Sequence, residues 1–371
     1  MFHILLSSTL FLACGDDKDD TASTDSSTST ATETSTETTT STSTATETTT
    51  DTETDTETTD TETSDPVTEA QDKVQALLDA ASDAPIDNQE MLEELYVSFS
   101  APGTAMFYYF PIYTVVLSAG LDPSVTCPVI EGDPMAALEG MGSATITSDC
   151  TDENGMEWSG TIEMTPEIWV YDNFKIPTEP DEDCPNLQGF ATIDGVVEVA
   201  SGAQDLKPAV VYTMMAPNEA CENETATLAV MGEVSIQSQE SEYSSIETWN
   251  GEGDVYANFA GMASRVHFLT EDEVIDSETC DSEAVSGTTT LSTTAHTSVI
   301  TYDGATDCAT CPDDDGDGYP DDCEPDVMVG WTLNGEDQGQ ISGSSCSSAV
   351  LPQSALLVLL GLAVVGYRRE S

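Results

Sequence analysis

Residues 15–66 offer almost nothing apolar to bury, and this limits the foldable part of the chain more than any other feature. The segment is Thr, Ser, Glu and Asp nearly throughout, as in Thr56-Glu57-Thr58-Thr59-Asp60. Without apolar side chains it cannot repay the entropy of ordering its backbone. Its like charges extend it, so we expect a disordered stalk that acts as a spacer. A folded body must therefore be built from residues beyond Val67. Charge does not end with the stalk. The chain of 371 residues carries 70 acidic residues against 7 Lys and Arg, a net −63, and only 15 of the acids lie between Asp16 and Asp65. An acidic body repels nucleic acid, which excludes it as a partner, and favours bound cations.

After Val67 the pattern becomes one that can fold. Ala70, Val74, Leu77, Leu78 and Ala81 recur at helical spacing, and Met91, Leu92 and Leu95 suggest a second short helix beyond Pro85. The stretch from Met106-Phe107-Tyr108-Tyr109-Phe110 to Leu117 is the most apolar of the body and is expected to be core. Together residues 67–120 form a helical, apolar lead-in. Beyond Cys127 the alternation is of strand type, in runs such as 143–147, 158–164, 192–199, 228–237, 254–259, 265–269 and 288–302. Asn154-Gly155 between alternating flanks marks a hairpin. The expected fold class is mainly β: an antiparallel sheet, sandwich or barrel-like body over residues 121–306, with one wet face.

The two ends carry a different message. Residues 1–14 are an apolar run closing on Leu12-Ala13-Cys14. They resemble a bacterial lipoprotein signal, which implies that Cys14 receives lipid; a plain secretory signal or a buried apolar strand are the alternatives. At the other end a Gly/Ser-rich junction, 327–348, contains Cys346. It leads into a hydrophobic helix over 349–371 that ends in Arg368-Arg369. The run is just long enough to span a bilayer, and the arginines supply a cytoplasmic stop. This layout resembles the C-terminal sorting tails of bacterial surface proteins, and the Cys in Ser/Gly version the myxobacterial type. An ordinary single-pass anchor is the alternative. Either way the expected partner is the membrane, through lipid, helix or both. The expected location is the outer surface of the cell envelope.

Ten cysteines are too many for a reducing compartment. Apart from Cys14 and Cys346, eight remain as disulfide candidates: Cys127, Cys150, Cys184, Cys221, Cys280, Cys308, Cys311 and Cys323. The stretch from Cys127-Pro128 through Cys150 to Gly160 resembles a pattern in uncharacterised secreted proteins of myxobacteria. That likeness implies a Cys127–Cys150 bridge. Cys221–Cys280 is the second pairing expected, among the 105 connectivities that eight cysteines allow.

The sharpest motif is Asp313-Asp314-Asp315-Gly316-Asp317-Gly318-Tyr319-Pro320-Asp321-Asp322-Cys323-Glu324, within an acidic loop over 307–326. It fits the D-x-D-x-D-G-x5-E calcium pattern. Calcium takes six to eight hard oxygens, here from Asp313, Asp315, Asp317, the Tyr319 carbonyl, Asp321 and Glu324, with Gly318 making the sharp turn. The flanking cysteines and prolines are not those of an EF-hand, and the run resembles a thrombospondin type 3 repeat. That likeness implies Ca2+ in a structural role, expected to stiffen the junction between body and tail.

Catalytic signatures are weak. His267 and His296 lie in alternating segments, and no nucleophile elbow, zinc-helix motif or phosphate-binding Gly-Lys occurs. Three functions remain, in order of preference. The first is a non-catalytic, calcium-stabilised surface lipoprotein for binding or adhesion. The second is a carboxylate-based hydrolase with two facing acids. The third is a carrier of apolar ligands in a cavity lined by Phe107, Tyr108, Tyr109 and Met214.

Overall fold

The computed structural model describes residues 65–121, 126–152, 155–178, 184, 187–217, 221–240, 245–259, 262–276, 284–302 and 328–342. These belong to one compact unit.

Four helices are defined by their local chemistry. Helix α1 (Pro66–Ala80) starts on Asp65, whose side chain accepts the Val67 N–H, and has Pro66 in its first turn, where no N–H is needed. Its buried stripe is Ala70, Val74 and Leu78, one residue per turn, as the spacing predicts. Helix α2 (Gln89–Ser98) is capped by the Asn88 side chain, and the short α4 (Pro134–Leu138) by Asp133. Between them runs α3 (Ala101–Leu121), the apolar stretch singled out in the sequence. Pro111 sits inside α3. A proline there removes a helical donor and displaces the carbonyls one turn earlier. Nearby, the Tyr171 hydroxyl donates to the Tyr108 carbonyl at 2.6 Å and satisfies it from outside the helix.

The strands are β1 (Ser82–Asp83), β2 (Val129–Gly132), β3 (Ala144–Thr147), β4 (Cys150–Thr151), β5 (Glu157–Met164), β6 (Ile168–Pro177), β7 (Phe190–Ala200), β8 (Asp205–Pro217), β9 (Asn223–Glu240), β10 (Ser245–Phe259), β11 (Met262–Asp276), β12 (Ser286–Ser292), β13 (Thr297–Thr301), β14 (Met328–Leu333) and β15 (Glu336–Ser342). They make one large open sheet in which β5 to β15 pair each with the next, antiparallel, with β3 and β2 beyond β5. β1 pairs with the start of β11 in parallel. β4 and β5 form the hairpin expected at Asn154-Gly155, and Gly155 takes the left-handed φ of +82° that its turn requires. The body is thus mainly β and antiparallel, as the alternation indicates.

The sheet is covered on both faces. On the inner face α2 lies at β15, α3 crosses β7 to β11, and α4 lies at β3 and β5. One continuous core runs there from Ile146 in β3 to Ile341 in β15, through Trp169, Tyr171, Phe174 and Phe268. On the outer face α1 packs Val74 and Leu78 on Ala229 and Tyr256, and Ala70 on Val196 and Ala209. Alternation assigns the faces: in β9, Leu228, Val230 and Val234 point inward while Ala229 and Met231 point outward. The outer face is therefore dry beneath α1, which one-sided alternation does not foretell.

Two domain boundaries shift. Residues 328–342 are not a junction but the last two strands of the sheet, β14 and β15, with Val329, Trp331 and Ile341 buried. Residues 303–327, which contain the acidic loop, consequently link β13 to β14, neighbours in the sheet. The sequence places this loop between body and tail; it is a connection within the body. Glycines and polar residues hide these strands, because β15 (Glu336-Asp-Gln-Gly-Gln-Ile-Ser342) exposes nearly every side chain but Ile341.

Candidate functional site

The residues expected to bind calcium, Asp313, Asp315, Asp317, Tyr319, Asp321 and Glu324, lie outside the described residues. So do Cys14, Cys280, Cys308, Cys311, Cys323, Cys346, Arg368 and Arg369, and the hydrophobic helix expected over 349–371. Among the described residues no helix is long and apolar enough to cross a membrane, and no group of His, Cys, Asp or Glu is placed to hold a metal.

Two disulfides are present among the described residues. Cys127–Cys150 joins the segment before β2 to β4, as expected. The other is Cys184–Cys221, which corrects the expected Cys221–Cys280 pairing. Its reason is topological: β7 and β8 form a hairpin whose ends, Phe190 and Pro217, lie side by side through the pair Phe190–Met215. The residues just outside that hairpin's open end are therefore neighbours, although 37 positions apart.

Two constellations of polar residues stand out, on opposite faces of β10 and β11. The outer one is a shallow hollow at the end of α1, lined by Asp83, Asp254, Arg265, His267, Ser292 and Thr294. Asp254, His267 and Ser292 occupy one row, each directly opposite the next on β10, β11 and β12. His267 Nδ1 lies 3.2 Å from Asp254 Oδ1. Arg265 donates from Nε to Asp83 Oδ1 and from Nη1 to the Leu78 carbonyl, both at 3.4 Å. The Thr294 hydroxyl and backbone N–H both donate to Asp83. These Thr294 hydrogen bonds, and then the Arg265 guanidinium, hold the Asp83 carboxyl below the usual range. The row has the residue types of a nucleophilic triad, but among the described residues no hydrogen bond joins His267 to Ser292. His267 and Asp254 are each about half exposed. Water competes for every group here, and the arrangement reads as a pinned surface rather than a catalytic centre.

The inner constellation is buried. Glu247 in β10 and Glu273 in β11 are each 5 % exposed, beneath the helices of the inner face. Glu247 follows the unbroken inward alternation of β10 with Trp249, Val255 and Ala257. An irregular register puts Glu273 there: β11 carries an extra residue opposite β10 between Trp249 and Gly251, and shifts against β12 between Glu271 and Val274. Inward positions along β11 run Val266, Phe268, Thr270; regular alternation would continue through Asp272, but the shift turns Glu273 inward instead. The bulge is built rather than accidental. Asp272 takes a left-handed φ of +49°, its N–H donates to Asn250 Oδ1 at 2.8 Å, and Gly287 stands opposite, where any Cβ would strike the Asp272 carbonyl.

Hydrogen bonds tie each carboxyl to a neighbour. Trp249 Nε1 donates to Glu247 Oε2 at 3.0 Å. The Thr289 hydroxyl donates to Glu273 Oε2 at 3.2 Å and lies 3.3 Å from both the Tyr302 hydroxyl and the Thr270 hydroxyl. Thr270 Oγ1 in turn accepts the backbone N–H of Ala101, the first residue of α3, at 2.9 Å. Burial pushes Glu247 up to about 7, against the pull of the Trp249 bond. Burial pushes Glu273 up to about 8, against those of Thr289 and Tyr302. Sequence reasoning missed both acids, because in a chain this acidic two more glutamates carry no signal.

The apolar-carrier residues are core. Tyr108 and Met214 are buried, Tyr109 meets Trp169 edge-on at 5.5 Å, and Phe107 stacks on Tyr212 at 6.3 Å. Helix α3 occupies the space in which an apolar ligand was expected. No family model, curated protein or solved structure matches this chain.

Proposed function

We propose that this protein is displayed outside the cell, attached to the envelope through lipid on Cys14, the C-terminal segment, or both, and that its β body serves binding or adhesion without catalysis. The observation that carries this reading is the pair of disulfides, Cys127–Cys150 and Cys184–Cys221, fastening a β body. Such bonds persist in oxidising surroundings and not in a reducing cytosol. The charge of the body supports the same setting. Each of the four Lys and Arg side chains among the described residues is already engaged: Lys73 with Asp194, Lys207 with Glu233, Arg265 with Asp83, and Lys175 over the Phe190 ring. Its remaining carboxylates are screened by ions from the medium.

Calcium belongs to this reading through Asp313, Asp315, Asp317, the Tyr319 carbonyl, Asp321 and Glu324. Because 303–327 joins two paired strands, an ion held there orders a connection within the sheet and stabilises β14 and β15 with it.

Intact mass and membrane partitioning of the native protein, with protease treatment of whole cells, test the location. We expect acylated Cys14, oxidised body cysteines and loss of the body on shaving. A protease-resistant, unacylated, fully reduced protein would overturn the proposal. For calcium, EDTA is expected to lower the thermal midpoint and added Ca2+ to restore it. An unchanged midpoint would remove the ion from this account.

A further inference from the structure

We propose that Glu247 and Glu273 form a pH-responsive latch, which holds the start of helix α3 on the sheet while both carboxyls are protonated and loosens it as the medium turns alkaline. The argument begins with placement. Glu247 reaches the inner face by the regular alternation of β10, while the bulge that turns Glu273 inward uses three specific residues, Asp272, Asn250 and Gly287. Trp249 stands directly opposite Glu273 and donates to Glu247, so the two carboxyls share one layer.

The second step is the surroundings. Glu247 faces Trp249 on its own strand and Tyr109 and Tyr113 of α3, with Glu139 beyond Tyr113. Glu273 faces Thr289 of β12 and Tyr302 after β13, with Tyr96 of α2 beyond Tyr302. Among the described residues no lysine, arginine or histidine is one of these groups, so no described cation balances a negative charge on either acid. An unpaired buried carboxylate is resolved by staying protonated or by admitting water.

The third step is what moves when water enters. The chain Ala101 N–H to Thr270, Thr270 beside Thr289, and Thr289 to Glu273 connects the carboxyl to the first peptide of α3. Ser100 and Thr104, on either side of Ala101, are buried as well. Hydrating Glu273 therefore hydrates the hydroxyls that anchor this helix end. The affinity of the carboxyls for protons is raised by burial, which puts their release near neutral to mildly alkaline pH.

Amide hydrogen exchange of the full chain at residues 101–104, normalised for the intrinsic pH dependence of exchange, tests this. Between pH 6.5 and 9 we expect protection to fall by about tenfold or more in the native sequence and to stay flat in Glu247→Gln/Glu273→Gln. Trp249 fluorescence should follow the same curve. Equal loss in both proteins, or none in the native one, overturns the latch. Should the double variant not fold, carbon-13 carboxyl titration of the native protein decides: midpoints near or above 7 support it, and midpoints between about 4 and 5 defeat it.

Discussion

Asp83 and Glu273 both lie at β11, one beside its first residues on the outer face and one near its end on the inner face. Their carboxyls are treated in opposite ways. Asp83 is only partly buried and receives hydrogen bonds from Thr294 and Arg265, so its charge is favoured. Glu273 is sealed beneath the helices with a threonine and a tyrosine hydroxyl for company, and its neutral form is favoured. The difference shows that a chain with such an excess of acid has two ways to accommodate a carboxylate. It can leave it in water with a donor, or bury it and keep the proton.

The largest effect that sharpens this contrast comes from apolar contacts rather than charge. Phe268 and His267 are adjacent in β11, one fully buried inside and one exposed outside. Phe268→Ala is expected to lower stability by about 3–5 kcal/mol, and His267→Ala to stay within about 0.5 kcal/mol, in urea unfolding at pH 7. Comparable losses would mean that the outer hollow is a structural core in its own right.

Next comes the pH dependence of the inner pair. Their folded pKa values are raised above the unfolded ones, so the associated stability is fully present below about pH 4.5. It declines as pH rises through about 7 for Glu247 and about 8 for Glu273. Glu273→Gln should therefore match the native protein near pH 5 and exceed it at pH 9, by on the order of 2–4 kcal/mol. Stability curves that run parallel from pH 5 to 9 would break the contrast from the inner side. Smallest is Asp83→Asn. A lowered carboxyl contributes stability above its unfolded pKa and loses it as pH falls. A slight drop in thermal midpoint at pH 7 that vanishes near pH 2 is the expected outcome, and a drop that persists in acid would show that packing, not charge, is at work there.

The sequence makes the strands legible because period-two alternation survives wherever one face is buried, as in β5, β7 and β9. It makes Cys127–Cys150 legible only through the resemblance of the stretch from Cys127 to Gly160 to a pattern in secreted proteins. It cannot reveal Cys184 as the partner of Cys221, since that depends on the β7–β8 pairing and not on spacing. Helix α3 is visible as the most apolar part of a helical lead-in, although Pro102, Gly103 and Pro111 speak against a helix until the packing overrides them. Glu273 is hidden for a further reason. Reading β11 by regular alternation puts Asp272 inside, and only the tertiary register, with Gly287 opposite the bulge, puts Glu273 there instead.

The order of strands near the C-terminus has a consequence for what a single cut can do. Thr301 pairs with Gly330 and Ser298 with Leu333, so β13 and β14 are joined laterally as well as along the chain. A peptide bond broken anywhere in 303–327 separates the covalent chain into two pieces but removes neither from the sheet. Everything beyond residue 327 would then be gripped, among the described residues, by the ladder to β13 and by Val329, Trp331 and Ile341 in the core. Nicking at that connection turns a covalent link into a non-covalent one, and makes separation of the two pieces a matter of unfolding rather than of cleavage.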